Sequence, residues 1–114
     1  MILDSDTLPP AVGSCIEDSR TPLAVSVISH WELHMLIEKG RVERTSYLDL
    51  LAESDLLGVV SKPLTAEIAI LSRQIALNHQ DPADRFIAAT AIAHRATLAT
   101  RDAKLLGHSW LPTI

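Results

Sequence analysis

The chain has little cysteine, few aromatic residues and no excess of basic charge, and each shortage excludes a class of protein. Its 114 residues include one cysteine, Cys15, so no disulfide can form within the chain and a reducing compartment is expected. Lysine and arginine number 10 against 14 aspartate and glutamate residues, which gives a net charge of −4. This balance argues against broad nonspecific binding of nucleic acids through a basic surface.

Long apolar runs are also missing, and the chain begins with acidic residues. No run is long enough to cross a bilayer, and residues 1–6 lack the basic and apolar regions of a signal peptide. We therefore expect a cytoplasmic protein with no membrane partner. Hydrophobic residues make up 47% and charged residues 21%, which predicts one globular domain over residues 1–114 rather than a disordered chain.

Short apolar runs rich in β-branched residues alternate with longer amphipathic segments. The predicted strands are residues 23–28, 57–60 and 97–100, with a last strand or tail at 110–114. The predicted helices are residues 8–17, 29–39, 46–54, 64–77 and 82–95. The last helix is apolar on nearly all sides and is therefore expected to be central. This alternation predicts an α/β fold, in which helices cover both faces of a parallel sheet.

Four acidic residues fall where a predicted strand ends or a predicted helix begins. Glu32 and Asp102 each follow a predicted strand, and Asp81 and Asp84 open the central helix. Ligands of open parallel sheets bind beyond the carboxyl ends of the strands. We therefore expect Glu32, Asp84 and Asp102 to converge on a site for Mg²⁺ or Mn²⁺, which take oxygen ligands and support phosphodiester hydrolysis.

Each acid also has an explanation that needs no metal. Ser29-x-x-Glu32 matches a capping box, Asp81-Pro82 matches a helix start, and Asp102 matches the cap of a short turn. For a single acid the capping explanation is the more common one. The placement of all of them at one end of the inferred sheet favours the metal site, and capping is compatible with ligation.

Histidines and basic residues near these acids suggest further roles. His30 and His34 lie four residues apart and would share a helix face suited to zinc, but the His-Glu-x-x-His motif and a third ligand are missing. Three basic side chains each adjoin a proposed metal ligand. They are candidates for contact with substrate phosphates: Arg85, Arg101 and Lys104.

Four blocks of the sequence carry a family resemblance. In chain order they are AVSVISHWEL at residues 24–33, KGR at 39–41, DPADRFIAA at 81–89 and LATRD at 98–102. Together they closely resemble the PIN-domain ribonucleases, above all the VapC-like toxins of bacterial type II toxin–antitoxin modules. The resemblance runs from about residue 8 to the end of the chain.

The resemblance implies a parallel α/β sheet, an acidic pocket that binds Mg²⁺ or Mn²⁺, and endonucleolytic cleavage of RNA. It makes Glu32, Asp84 and Asp102 the catalytic and metal-binding acids. The residues implied to support them from a second layer are Ser29, Asp81 and Thr100. The implied partners are an RNA substrate and a small cognate antitoxin that blocks the site, and the toxin is often a homodimer.

The first residues depart from the family pattern. Members open with a strand that ends in an aspartate ligand and is followed by a helix. Leu3-Asp4 resembles that motif, but the interval to Glu32 is too short for this helix and the helix predicted at 8–17. We therefore interpret residues 1–6 as the loop after a missing helix, so that the domain is N-terminally incomplete and lacks the first strand, the first helix and the first metal ligand. Coding sequence upstream is expected to supply a strand ending in aspartate.

The expected function is a Mg²⁺-dependent endoribonuclease toxin whose activity is impaired by the missing strand. The alternative is a catalytically inactive PIN-like module that binds the antitoxin without cutting RNA. A phosphoacceptor receiver domain also gathers acids at strand ends. It needs an acid pair on its opening strand and a lysine on a late strand, and neither is found in this sequence.

Overall fold

A parallel sheet of four strands forms the centre of the domain. A computed structural model describes residues 1–3, 22–41, 58–78 and 80–114. Its strands are β1 (Ile2–Leu3), β2 (Ala24–Ser26), β3 (Val60–Lys62) and β4 (Leu98–Ala99). They lie side by side in the order β3-β2-β1-β4, and every pairing is parallel. All four strands therefore end at the same edge of the sheet.

The first strand corrects the interpretation of residues 1–6 as a loop. Ile2 pairs with Ala24 on one side and with Leu98 on the other, and it is 1% exposed. Its backbone N–H donates to the Thr97 carbonyl at 2.9 Å. An interior strand is therefore present, and the expectation that the central strand is missing is wrong. The expected absence of the first helix stays a prediction, because residues 4–21, which follow β1, lie outside the described residues.

Three helices are present in the described part of the chain: α1 (Val27–Glu38), α2 (Ala66–Gln74) and α3 (Pro82–Ala93). Helix α1 begins two residues earlier than predicted because Ser26, rather than Ser29, caps it and accepts from the Ile28 N–H at 3.2 Å. The predicted stop is confirmed at Gly40, which takes a positive φ of 71° just beyond the helix.

Helix α3 lies in the core, as its apolar surface predicted. Ile87, Ala88, Ala89 and Ala91 are fully buried, and the helix contacts both α1 and α2. Small alanine side chains leave room for neighbouring elements to approach closely. The core around it is completed by side chains from the sheet and the C-terminal segment, among them Ile2, Leu98, Leu105 and Leu111.

The predicted α/β class with a parallel sheet is confirmed. The final segment contributes one parallel bridge, between Leu98 and Thr113, rather than a full strand. The helices predicted at 8–17 and 46–54 lie outside the described residues. No helix in the described ranges combines the length and the apolar character needed to cross a membrane.

Candidate metal centre

The carboxyl edge of the sheet is where the predicted acids were expected to meet. Helix α1 begins directly after β2, and Thr100 directly follows β4. Asp4 is the residue after β1 in the sequence, and its placement lies outside the described residues. Helix α3 brings its own first turn to this region with Asp81 as N-cap, since the Asp81 carboxylate accepts from the Ala83 N–H at 3.1 Å.

Asp84 is a charged residue that the fold buries. It lies in the first turn of α3 and is 7% exposed. Burying a carboxylate costs free energy unless charge or hydrogen bonds compensate it. The helix N-terminus supplies a partial positive charge, and the Lys104 Nζ atom lies 3.5 Å from the Asp84 Oδ2 atom.

Asp102 is held in a tight turn that presents its carboxylate at the same place. The Thr100 hydroxyl accepts a hydrogen bond from the Asp102 N–H at 3.0 Å. The Asp102 Oδ1 atom in turn accepts from the Lys104 N–H at 2.9 Å. Its Oδ2 atom lies 3.9 Å from the Lys104 Nζ atom. One carboxylate oxygen therefore caps the turn, and the other faces a cation.

A single ammonium group therefore joins two acids that are distant in the sequence. The carboxylates of Asp102 and Asp84, and more weakly that of Asp81, raise the pKa of Lys104 above its usual value. The Lys104 side chain is 55% exposed, so its pairing is open to solvent on one side. The charges at this point favour the binding of a cation.

Ser29 and Glu32 lie one turn apart on the same side of α1. Because Ser26 is the cap, the capping-box explanation of Ser29-x-x-Glu32 is wrong. The Ser29 hydroxyl is buried, and it has no hydrogen-bond partner in the part of the chain that the structure describes. Glu32 is half-buried. A buried hydroxyl of this kind is suited to holding an ordered water molecule.

The acids do not assemble as a complete three-residue set. Over the described ranges, no group of three or more His, Cys, Asp or Glu side chains is placed to hold a metal ion. The structure brings Asp84 and Asp102 together and does not add Glu32 to them. Mg²⁺ commonly binds through one or two carboxylates together with waters and substrate phosphate. The pair fits such a site, and the ammonium of Lys104 occupies the position of a cation beside it.

The structure also places the predicted zinc histidine His30 and the predicted phosphate contact Arg101. The His30 Nε2 atom and the Ser61 hydroxyl are hydrogen-bonded at 3.0 Å. This contact between side chains gives no support to a zinc site formed by His30 and His34. Arg101 is exposed beside Asp102, which keeps it a candidate for phosphate contact.

Arg85 has a structural role, and its prediction as a phosphate contact is wrong. It is 6% exposed, and its guanidinium donates to the carbonyls of Ser72, Leu77 and Ile75 at 2.8, 3.1 and 3.1 Å. These carbonyls lie at the C-terminal end of α2 and in the segment after it. A guanidinium has five donors in a fixed plane, so it can bond several of the backbone carbonyls that are left free at the end of a helix.

The sequence did not predict that Lys104 pairs with both acids. The signal for it was the spacing Asp102-x-Lys104, because an aspartate that caps a short turn brings the residue two positions later close to its own carboxylate. The contact with Asp84 depends on the packing of α3 against the sheet and has no local signal.

Comparison with known proteins agrees with this architecture. Residues 2–108 match the PIN domain family. Ribonuclease VapC22 of Mycobacterium tuberculosis (strain ATCC 25618 / H37Rv) is 37% identical over 106 residues, which cover 89% of this chain and 78% of the relative. The crystal structure of VapBC2 from Rickettsia felis bound to a DNA fragment from their promoter matches with a TM-score of 0.69. That match has 18% identity over 99% of this chain and 96% of the other, a likeness that concerns the fold alone. The family match spans almost the whole chain, and the relative and the fold agree with it. The chain therefore belongs to the PIN-domain family and is similar to its VapC-like members.

Proposed function

We propose that the protein is a metal-dependent endoribonuclease that acts as the toxin of a toxin–antitoxin pair. The observation that carries this proposal is the convergence of Asp84 and Asp102 on one ammonium at the carboxyl edge of the sheet. The similarity to a relative named as a ribonuclease supports RNA as the substrate. The single cysteine is compatible with a reducing cytoplasm.

Asp84 and Asp102 are the residues that would hold Mg²⁺ or Mn²⁺. Thr100 fixes the backbone of Asp102 and so orients its carboxylate. A bound divalent ion supplies an activated water as nucleophile and stabilises the charge that develops on the phosphate. Arg101, which is exposed beside Asp102, attracts the RNA backbone toward the site.

Asp4 and Glu32 are proposed as further ligands. Asp4 follows Leu3, the last residue of an interior strand, so the chain offers an aspartate directly after β1. Glu32 lies on α1, one turn beyond the buried Ser29. Neighbouring carboxylates repel one another, and a divalent ion relieves this repulsion. Ser29 supports the site by holding a water molecule with its buried hydroxyl.

The proposed protein partner is a small antitoxin, as the resemblance to VapC-like toxins implies. An apolar groove lies beside the first turn of α3, and one of its walls is Trp31, which is 60% exposed. Its lining residues are Ile28, Trp31, Pro82, Ala83 and Phe86. An apolar segment of the antitoxin bound there would lie next to the acids. We also propose that the toxin forms a homodimer, as VapC-like proteins often do.

The test is cleavage of single-stranded RNA by the purified protein in Mg²⁺, compared with the Asp84→Asn variant. We expect the variant to lose about a hundredfold or more in rate, which is the usual cost of removing one electrostatic contributor. Glu38→Gln is the matched control, because it removes an exposed carboxylate at the far end of α1 and should keep full activity.

The outcomes separate an enzyme from a binding module. Equal cleavage by the wild type and the Asp84 variant would assign the activity to a contaminant and remove the proposal. The absence of cleavage by a folded wild type that still binds antitoxin would favour the inactive module. That second function is supported by the finding that only two of the predicted acids converge among the described residues.

A further inference from the structure

Lys104 places a positive charge where the proposed function requires a metal ion. Its Nζ atom lies 3.5 Å from the Asp84 carboxylate and 3.9 Å from that of Asp102. We propose that Lys104 is an internal counter-ion that holds this acid pair when no metal is bound and leaves it when a divalent cation binds. This inference rests on the proposed function, since it concerns the same two carboxylates.

The charges make simultaneous occupancy unfavourable. A lysine ammonium and a divalent ion are both cations attracted to the same two carboxylates, and they repel each other when both lie close to them. Asp84 is 7% exposed, and at so buried a position water screens this repulsion less well than at an open surface. Lys104 therefore competes with the ion for the acids, and its presence lowers the affinity for metal.

The local structure lets the side chain leave without moving the backbone. The Lys104 N–H donates to the Asp102 carboxylate at 2.9 Å, and the Lys104 carbonyl lies 3.0 Å from the His108 Nε2 atom. Both contacts are made by the main chain and survive a change of rotamer. The side chain itself is 55% exposed and has a flexible four-carbon stem.

A cavity beside Lys104 can receive the displaced ammonium. It has a volume of about 400 Å³, and Lys104 forms part of its wall. Its lining residues are Asn78, Ala103, Lys104, Leu106 and His108. A lysine that turns into this space presents its charge to the phosphates of an RNA strand crossing the site. Release from the acids thus makes the lysine available to the substrate.

The test measures binding of Mn²⁺ alone, without RNA, by calorimetry and by the EPR signal of free Mn²⁺. Lys104→Met is expected to bind Mn²⁺ roughly tenfold more tightly than the wild type at low salt, because the variant has no ammonium that the ion must displace from the two carboxylates. Lys104→Arg keeps the charge and should bind Mn²⁺ as the wild type does. Lys39→Met removes an exposed lysine at the far end of α1 and should also leave the affinity unchanged.

Thermal unfolding supplies a second readout. In EDTA we expect Lys104→Met to unfold at a lower temperature than the wild type, because the acid pair has lost its counter-ion. Added Mn²⁺ should raise the unfolding temperature of this variant more than that of the wild type. If Lys104→Met does not fold, Lys104→Gln replaces it in both measurements.

Two results would overturn the inference, and they differ in what they say of the proposed function. If the wild type binds Mn²⁺ and a folded Lys104→Met binds it equally or less tightly, Lys104 is a structural ion pair and the metal site stands. If neither folded protein binds Mn²⁺, the proposed metal site is refuted, and the proposed displacement of Lys104 by a metal ion is refuted with it.

Discussion

Replacing Arg85 by methionine removes a buried guanidinium without leaving a large cavity. The guanidinium donates to three backbone carbonyls, of Ser72, Ile75 and Leu77, at distances from 2.8 to 3.1 Å. In the variant these contacts are lost, and carbonyl oxygens at the end of α2 lose a buried donor. The same contacts join the end of α2 to the first turn of α3, which carries Asp84. The change therefore affects both stability and the position of the acid.

The size of the effect follows from the number and kind of hydrogen bonds. A hydrogen bond to a charged group contributes about 1.5–3 kcal/mol, and an acceptor left buried without a donor costs about 1–3 kcal/mol. These contributions are not additive, and the methionine side chain restores some apolar packing. We expect a loss of about 3–5 kcal/mol in the free energy of unfolding, a large share of the roughly 5–15 kcal/mol that stabilises a typical domain. Arg85→Lys should recover only a small part, since one ammonium cannot reach three carbonyls in a plane.

Urea unfolding followed by far-UV circular dichroism measures this loss. Arg73→Met is the matched control, because Arg73 is exposed and makes a single 3.4 Å contact with the Gln80 side chain. That control should lose less than about 0.5 kcal/mol. A loss below about 1 kcal/mol for Arg85→Met would refute the structural role. If Arg85→Met is as stable as the wild type and its binding of RNA depends less steeply on salt, the prediction that Arg85 contacts phosphate would be restored.

Two further perturbations test the turn that carries Asp102 and the charge of Lys104. Thr100→Val removes the acceptor of the Asp102 N–H. We expect this variant to lose about 1–2 kcal/mol in the free energy of unfolding and to cleave RNA roughly tenfold more slowly. Thr100→Ser should restore both the stability and the rate, and a fully active Thr100→Val would contradict the role of this hydroxyl. Because the acids raise the pKa of Lys104 above its usual 10.5, its ion pairing stabilises the metal-free fold below that pH and is lost as the pH rises through the raised value. Unfolding temperatures measured in EDTA should therefore fall more steeply between pH 8 and pH 12 for the wild type than for Lys104→Met. Parallel curves for the two proteins would show that the ion pairing of Lys104 adds no stability.

Local patterns in the sequence predicted those parts of the site that local structure determines. Asp81 caps α3 with proline in the first turn, as the Asp-Pro pair predicted. Asp102 caps the turn after β4, as its position before a short turn predicted. The central place of α3 followed from its alanine-rich, apolar sequence. In the two caps the deciding interaction lies within one helical turn of the residue.

The features that the sequence missed depend on tertiary contacts. Strand β1 has two residues, too few for a periodic pattern, and it exists because neighbouring strands pair with both of its edges. The sequence predicted Ser29 as the cap of α1, and the earlier end of β2 made Ser26 the cap instead. Arg85 turned away from the site because free carbonyls at the end of α2 lie within its reach. The pairing of β1 and the contacts of Arg85 are not visible in the residues next to them.

The binding of a cation between Asp84 and Asp102 is tested most directly by a crystal structure grown with Mn²⁺. The anomalous difference map should show a peak between these two carboxylates, with the ammonium of Lys104 turned away from them. A map without a peak at saturating Mn²⁺, with Lys104 still paired to both acids, would show that these carboxylates do not form a metal site.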